Sequence, residues 1–123
     1  MDYLTKFERH ALCAIFSETP EFASVLGQQL ENASVVNREN TGGGFYTTVS
    51  IPIEIPSIKG PRLLSEETYA QVEGLEHGIG FVLFLENGYL HILEGYALAP
   101  EDTSSLDFSD LNFTILNSPA DLI

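Results

Sequence analysis

The run Gly80-Phe81-Val82-Leu83-Phe84-Leu85, Glu86-Asn87-Gly88-Tyr89, Leu90-His91-Ile92-Leu93-Glu94 places two strongly apolar segments on either side of an Asn-Gly pair. Asn-Gly favours a two-residue type I′ turn, because both central residues tolerate positive φ and the turn's twist matches that of the flanking strands. Such a turn predicts Leu85 opposite Leu90, Leu83 opposite Ile92 and Phe81 opposite Glu94 on one face, with Phe84–His91 and Val82–Leu93 pairs on the other. Both faces are then largely apolar, so the hairpin belongs at the centre of a sheet, with helices over one face and a further cover over the second. The proline-rich segment, the C-terminal tail or another copy of the chain would supply that further cover.

Towards the N-terminus the apolar period changes from two to between three and four. Leu4, Phe7, Ala11, Ala14 and Ile15 form the stripe of an amphipathic helix, and Thr5 with Glu8 has the spacing of a capping box. Thr19-Pro20-Glu21 is a second helix start, with Phe22, Val25, Leu26 and Leu30 as its apolar face. Two antiparallel helices joined around Ser17 and Glu18 are expected. Ala33 to Glu39 and Phe45 to Ile51 then read as strands, joined by a hairpin loop over Asn40-Thr41-Gly42-Gly43-Gly44. Pro52 and Pro56 reduce the next stretch to an edge strand or an extended connection, and Ser57 to Glu67, without any period, reads as a long surface loop.

Thr68 to Glu73 alternates again, Ala97 to Asp110 reads as a loop, and Leu111 to Leu116 is a last strand. The expected architecture is α+β: two N-terminal helices, about 5–16 and 20–31, packed on a mostly antiparallel sheet of about six strands. Those strands are placed at about 33–39, 45–51, 68–73, 80–85, 89–94 and 111–116, and residues 1–123 are expected to form a single domain.

Charge sets limits on function. After Arg62 there is no Lys or Arg, while the 61 residues that follow carry eleven acids, and the formal net charge is −13. Only five basic residues occur in the chain, so the imbalance comes from missing cations more than from crowded acids. Dispersed acids do not reproduce the charge density of a phosphate backbone, which argues against a nucleic-acid mimic. Direct nucleic-acid binding and attachment to anionic membranes are disfavoured by the same sign of charge. The longest uninterrupted apolar stretch, Phe81 to Leu85, is too short to cross a bilayer, and Met1 to Lys6 lacks the pattern of a secretory signal. A lone cysteine, Cys13, allows no internal disulfide, and a cytoplasmic protein is expected. The sequons at Asn32 and Asn112 are then chance matches.

Glu73, Glu76 and His77, with His91 and Glu94 of the next hairpin, are the residue types from which a zinc or iron site or an acid/base pair is made. His91 and Glu94 are three apart on a strand and point to opposite faces unless a bulge intervenes, which Gly95 would permit. His77, His91 and Glu94 are therefore weak metal candidates, and no cofactor is expected. The glycines Gly74, Gly78 and Gly80 signal a bend or a close backbone approach; neither they nor Gly42 to Gly44 fit a nucleotide-binding fingerprint. Cys13 is expected to be a buried thiol beside the helix stripe, and its spacing from His10 carries little weight for catalysis.

These readings favour a non-enzymatic, acidic interaction protein, such as a bacterial immunity or inhibitor protein, that binds a basic partner. The acids expected to meet that partner are Glu73, Glu76, Glu101, Asp102 and Asp107. Two alternatives stand beside it: a small metal-binding protein or enzyme using His77, His91 and nearby glutamates, and a domain that pairs with itself as a homodimer.

Overall fold

A computed structural model describes residues 3–65 and 67–116. Two helices, α1 (Lys6–Ser17) and α2 (Pro20–Glu31), precede seven strands. These are β1 (Ser34–Asn40), β2 (Gly44–Ser50), β3 (Leu63–Leu64), β4 (Tyr69–Val72), β5 (Ile79–Glu86), β6 (Tyr89–Ala97) and β7 (Phe113–Leu116). The fold is α+β, and every strand pairing is antiparallel. The sheet runs β1-β2-β6-β5-β4-β7, with β3 also pairing along β5, so the β5–β6 hairpin is central.

The capping box forms: the Thr5 N–H donates to Glu8 and the Glu8 N–H donates back to the Thr5 hydroxyl. Thr19 takes the cap position of α2 without a side-chain cap bond; its hydroxyl donates to the Phe16 carbonyl instead, and Pro20 opens the helix. The buried face of α1 is Phe7, Ala11, Leu12, Ile15 and Phe16, rotated towards Leu12 and Phe16 relative to the expected stripe. Cys13 consequently lies exposed, correcting its expected burial. In α2 a polar residue, Gln29, is fully buried beside Leu26 and Leu30. Its side-chain amide donates to the Pro56 and Gly88 carbonyls while its oxygen accepts from the Leu90 N–H. One helical side chain thus satisfies the backbone at the tip of the central hairpin, where unpaired polar groups would be costly.

Asn87 and Gly88 both have positive φ, 54° and 83°, as a type I′ turn requires. Leu85 pairs with Leu90, but beyond that point the register departs from the expected one. A bulge at His91 shifts it by one residue, so Phe84 faces Ile92, Leu83 faces Leu93, Val82 faces Glu94 and Phe81 faces Gly95. The extra residue lets Leu90 and Leu93, three apart in sequence, both point into the core, where they are buried with Ile79, Phe81, Leu83 and Leu85. Gly95 leaves room for the Phe45 ring, which would lie only 2.1 Å from a Cβ there.

The segment after β2 forms a turn, with the Ile55 N–H donating to the Pro52 carbonyl, and contains no strand. Inside the stretch read as a featureless loop, Leu63 and Leu64 pair with Phe84 and Leu83. The helices, together with Phe108 and Phe113, cover one face of the sheet, and Phe7 lies at the centre of that layer. Its ring meets those of Phe45, Phe81, Phe108 and Phe113 at 5.0–6.3 Å between centroids.

Candidate interaction surface

The loop acids expected to meet a partner are largely engaged with their own chain. Glu101 accepts the backbone N–H groups of Glu76 (2.7 Å) and His77 (3.0 Å), and one of its oxygens lies 3.2 Å from His77 Nδ1. The Glu76 N–H bond is the chief cause that holds the Glu101 carboxyl below its ordinary range; partial burial opposes it, and the two bonds from His77 and the His77 charge reinforce it. The Glu101 side chain is only 20% exposed and pins the bend that begins at Gly74 and Gly78, both at positive φ. Asp102 accepts from the Ser104 N–H at 2.8 Å. Asp107 accepts from both the N–H and the hydroxyl of Ser109, and both aspartates lie below their usual values, chiefly through their serine hydrogen bonds. Glu73 accepts from the Asn112 side chain, joining the end of β4 to the start of β7. Glu76 contributes its N–H and keeps an exposed side chain.

The histidines form two separate pairs. His91 Nε2 lies 3.2 Å from Glu86 across the hairpin end, while His77 lies with Glu101 before β5 begins. The length of β5 separates them by roughly 20 Å at about 3.3 Å per residue. The bulge falls at His91 itself and not at Gly95, and Glu94 turns to Tyr46, to which it is hydrogen-bonded. Among the described residues no three His, Cys, Asp or Glu side chains gather as a metal site would need. His10 packs edge-on against Phe113 at 5.5 Å.

One ionic site was not legible in the sequence. Glu8, almost fully buried, accepts Nε and Nη2 of Arg38 (2.9 and 2.8 Å) and the Thr47 hydroxyl (2.5 Å), besides the Thr5 N–H. Burial by itself raises the Glu8 carboxyl; the bonds from Arg38, Thr47 and Thr5, with the Arg38 charge, outweigh it and hold the group below its ordinary value. Register explains the convergence, since Arg38 pairs with Thr47 on adjacent strands and both point towards α1. The Arg38 Nη2 also donates to the Tyr3 carbonyl, fastening the segment before α1.

Among the described residues, no helix lies over the other face of the sheet. Register aligns three rows across it: Glu39, Tyr46, Glu94 and Val82; then Asn37, Thr48, Ile92, Phe84 and Leu63; then Tyr96, Gly80 and Tyr69. The large side chains here stand outside the core: Tyr46 and Tyr96 are each 37% exposed and Leu63 53%. The expected second cover is not supplied by the proline-rich segment, which is held to α2 through Pro56 and to the hairpin turn through Ile58. Nor is it supplied by residues 98–110, whose Phe108 packs on Phe7 and Phe45 at the helical face, while residues 117–123 of the C-terminal tail expected as a cover lie outside the described residues. A groove of about 950 Å³ opens beside the second row, lined by Arg62, Leu63, Phe84, Glu86, His91 and Ile92 among others. Glu94 is the chief cause of a raised Tyr46 hydroxyl pKa, first through its charge and then its hydrogen bond, with burial and the Glu39 charge adding to it. The Tyr96 hydroxyl is raised by burial first, then by Tyr69 and Glu94.

Among the described residues, no helix is long and apolar enough to cross a membrane. Compared with protein-family models, curated proteins and solved structures, the chain has no significant match to any of them.

Proposed function

We propose that this protein is a non-enzymatic interaction protein whose partner is a basic protein, in the manner of an immunity or inhibitor protein bound to a cationic toxin. The observation that carries this reading is the charge of −13, with 61 consecutive residues that include eleven acids and no Lys or Arg. A field of that sign accelerates encounter with a cationic partner and repels phosphate backbones and anionic lipid. A pull-down at low and at high salt tests it. Capture of proteins of high isoelectric point at low salt, released as salt rises, is expected; retention that ignores both salt and the charge of the captured proteins would overturn the proposal.

A further inference from the structure

We infer that the helix-free face of the sheet is the docking surface, and that its occupant is a segment of a basic protein presenting Arg or Lys beside an aliphatic side chain. The inference rests on the basic-partner reading and gives it a place. Three observations support the choice of face and occupant. Large side chains cluster there with no helix over them among the described residues: Leu63, Phe84 and Ile92 form one apolar row, while Tyr46, Tyr69 and Tyr96 supply aromatic rings. A groove opens along that apolar row and would accept an aliphatic side chain.

Charge then decides what kind of segment fits. Among the described residues Arg38 is the only Lys or Arg in any of the seven strands, and it points to the helix-covered side, where it pairs with Glu8. The open face thus presents Glu39 and Glu94 flanking Tyr46 in one row, with Glu86 beside His91 at the groove and Arg62 as the cation on its rim. A guanidinium or ammonium seated between Glu94 and the tyrosine rings gains from both charge and ring face. The negative field that raises the Tyr46 hydroxyl is the field such a cation would meet.

A second copy of the chain fits this face less well. Face-to-face pairing would set Glu39 and Glu94 against their own counterparts in a chain already carrying −13.

The test uses the full chain, isotope-labelled, titrated with a peptide of about nine residues alternating Leu and Arg, the length of a long strand. A control peptide has Gln in place of Arg. Backbone amide shifts confined to β2, β5 and β6 around Tyr46, Phe84, Ile92 and Glu94 are expected, with the control peptide binding far more weakly. Glu94→Gln should weaken binding about fivefold, while Glu21→Gln, which changes net charge equally on α2 at the helix-covered side, should weaken it less than about twofold. Shifts centred on the loops at Glu76 and Asp102, or equal losses for the two variants, would overturn the placement and leave the basic-partner reading standing. Absence of binding to the Arg peptide at low salt would overturn both. A concentration-dependent dimer whose amide shifts map to this face would assign it to a second copy and overturn the choice of occupant.

Discussion

Replacing Arg38 by Met would leave the Glu8 carboxylate inside the protein without its cation. Glu8 has a side chain only 5% exposed, whereas Arg38 is 35% exposed, so the pair lies between a surface ion pair and a fully buried one. Surface pairs contribute about 0–1 kcal/mol, and breaking buried ones costs about 3–5 kcal/mol. Three hydrogen bonds from the guanidinium would be lost, two to Glu8 and one to the Tyr3 carbonyl, while those from Thr47 and the Thr5 N–H to Glu8 would remain. A loss of about 2–3 kcal/mol near pH 7 is expected, read from urea unfolding with an unchanged slope. The pH dependence gives an independent check on the cause. In the parent protein the folded Glu8 carboxyl lies below its ordinary 4.5, so its stabilisation is complete above that value and fades as pH falls through the lower folded value. In the variant, burial is no longer opposed by a cation, and Glu8 moves upward. A raised folded value favours the protonated folded form, so the penalty of Arg38→Met should shrink as pH is lowered through about 5 to 4. A penalty below about 0.5 kcal/mol, or one that stays constant over that range, would refute this account of the site.

Further outcomes follow from the core and the hairpin. Phe81→Ala removes a ring buried against Phe7 and Phe45 and should cost about 3–5 kcal/mol in chemical denaturation; a cost near 1 kcal/mol would contradict its central place. Deleting His91 removes the bulge residue and should leave Leu93 and Gly95 facing the core, so the melting temperature should change by only a few degrees. If β6 had no bulge, the same deletion would turn every residue after Leu90 to the opposite face and the protein would unfold. Cys13 should react with a thiol reagent in the native state nearly as fast as in urea; strong protection would contradict its exposure.

What the sequence revealed and what it hid follow the range of the interactions. The capping box at Thr5 and Glu8, Pro20 at the start of α2 and the Asn87-Gly88 turn each depend on residues a few positions apart, and all three are present. The bulge at His91 was missed because the alternation on either side of it is locally regular; only the burial of both Leu90 and Leu93 against β5 selects the shifted register. Cys13 was misplaced by the choice of helix face, since a stripe built on Ala14 differs by a small rotation from the one that buries Leu12 and Phe16. Leu63 and Leu64 are too short a run to show any period. The Glu8–Arg38 site was invisible because Glu8 already had a local explanation as a capping residue, while Arg38 reaches it only through strand register. Gln29 is a parallel case: its burial depends on the hairpin turn 59 residues away.

The loop acids show how pairing within the chain changes a functional reading. From sequence they were the natural contacts for a basic partner, being polar and set in turns. In the fold, four of the five accept hydrogen bonds from their own chain, and the apolar and aromatic surface lies elsewhere, on the sheet face that bears Glu94. On the proposed reading, a cationic partner is received on the sheet and not at the loops.

The most direct measurement is the dissociation constant of a purified basic partner, taken across a salt series for the parent protein and for Glu94→Lys. The account predicts affinity that falls steeply with salt and a charge-reversed variant that binds at least tenfold more weakly at low salt, with the difference narrowing as salt rises. Affinity independent of salt, with Glu94→Lys binding as tightly as the parent, would contradict it.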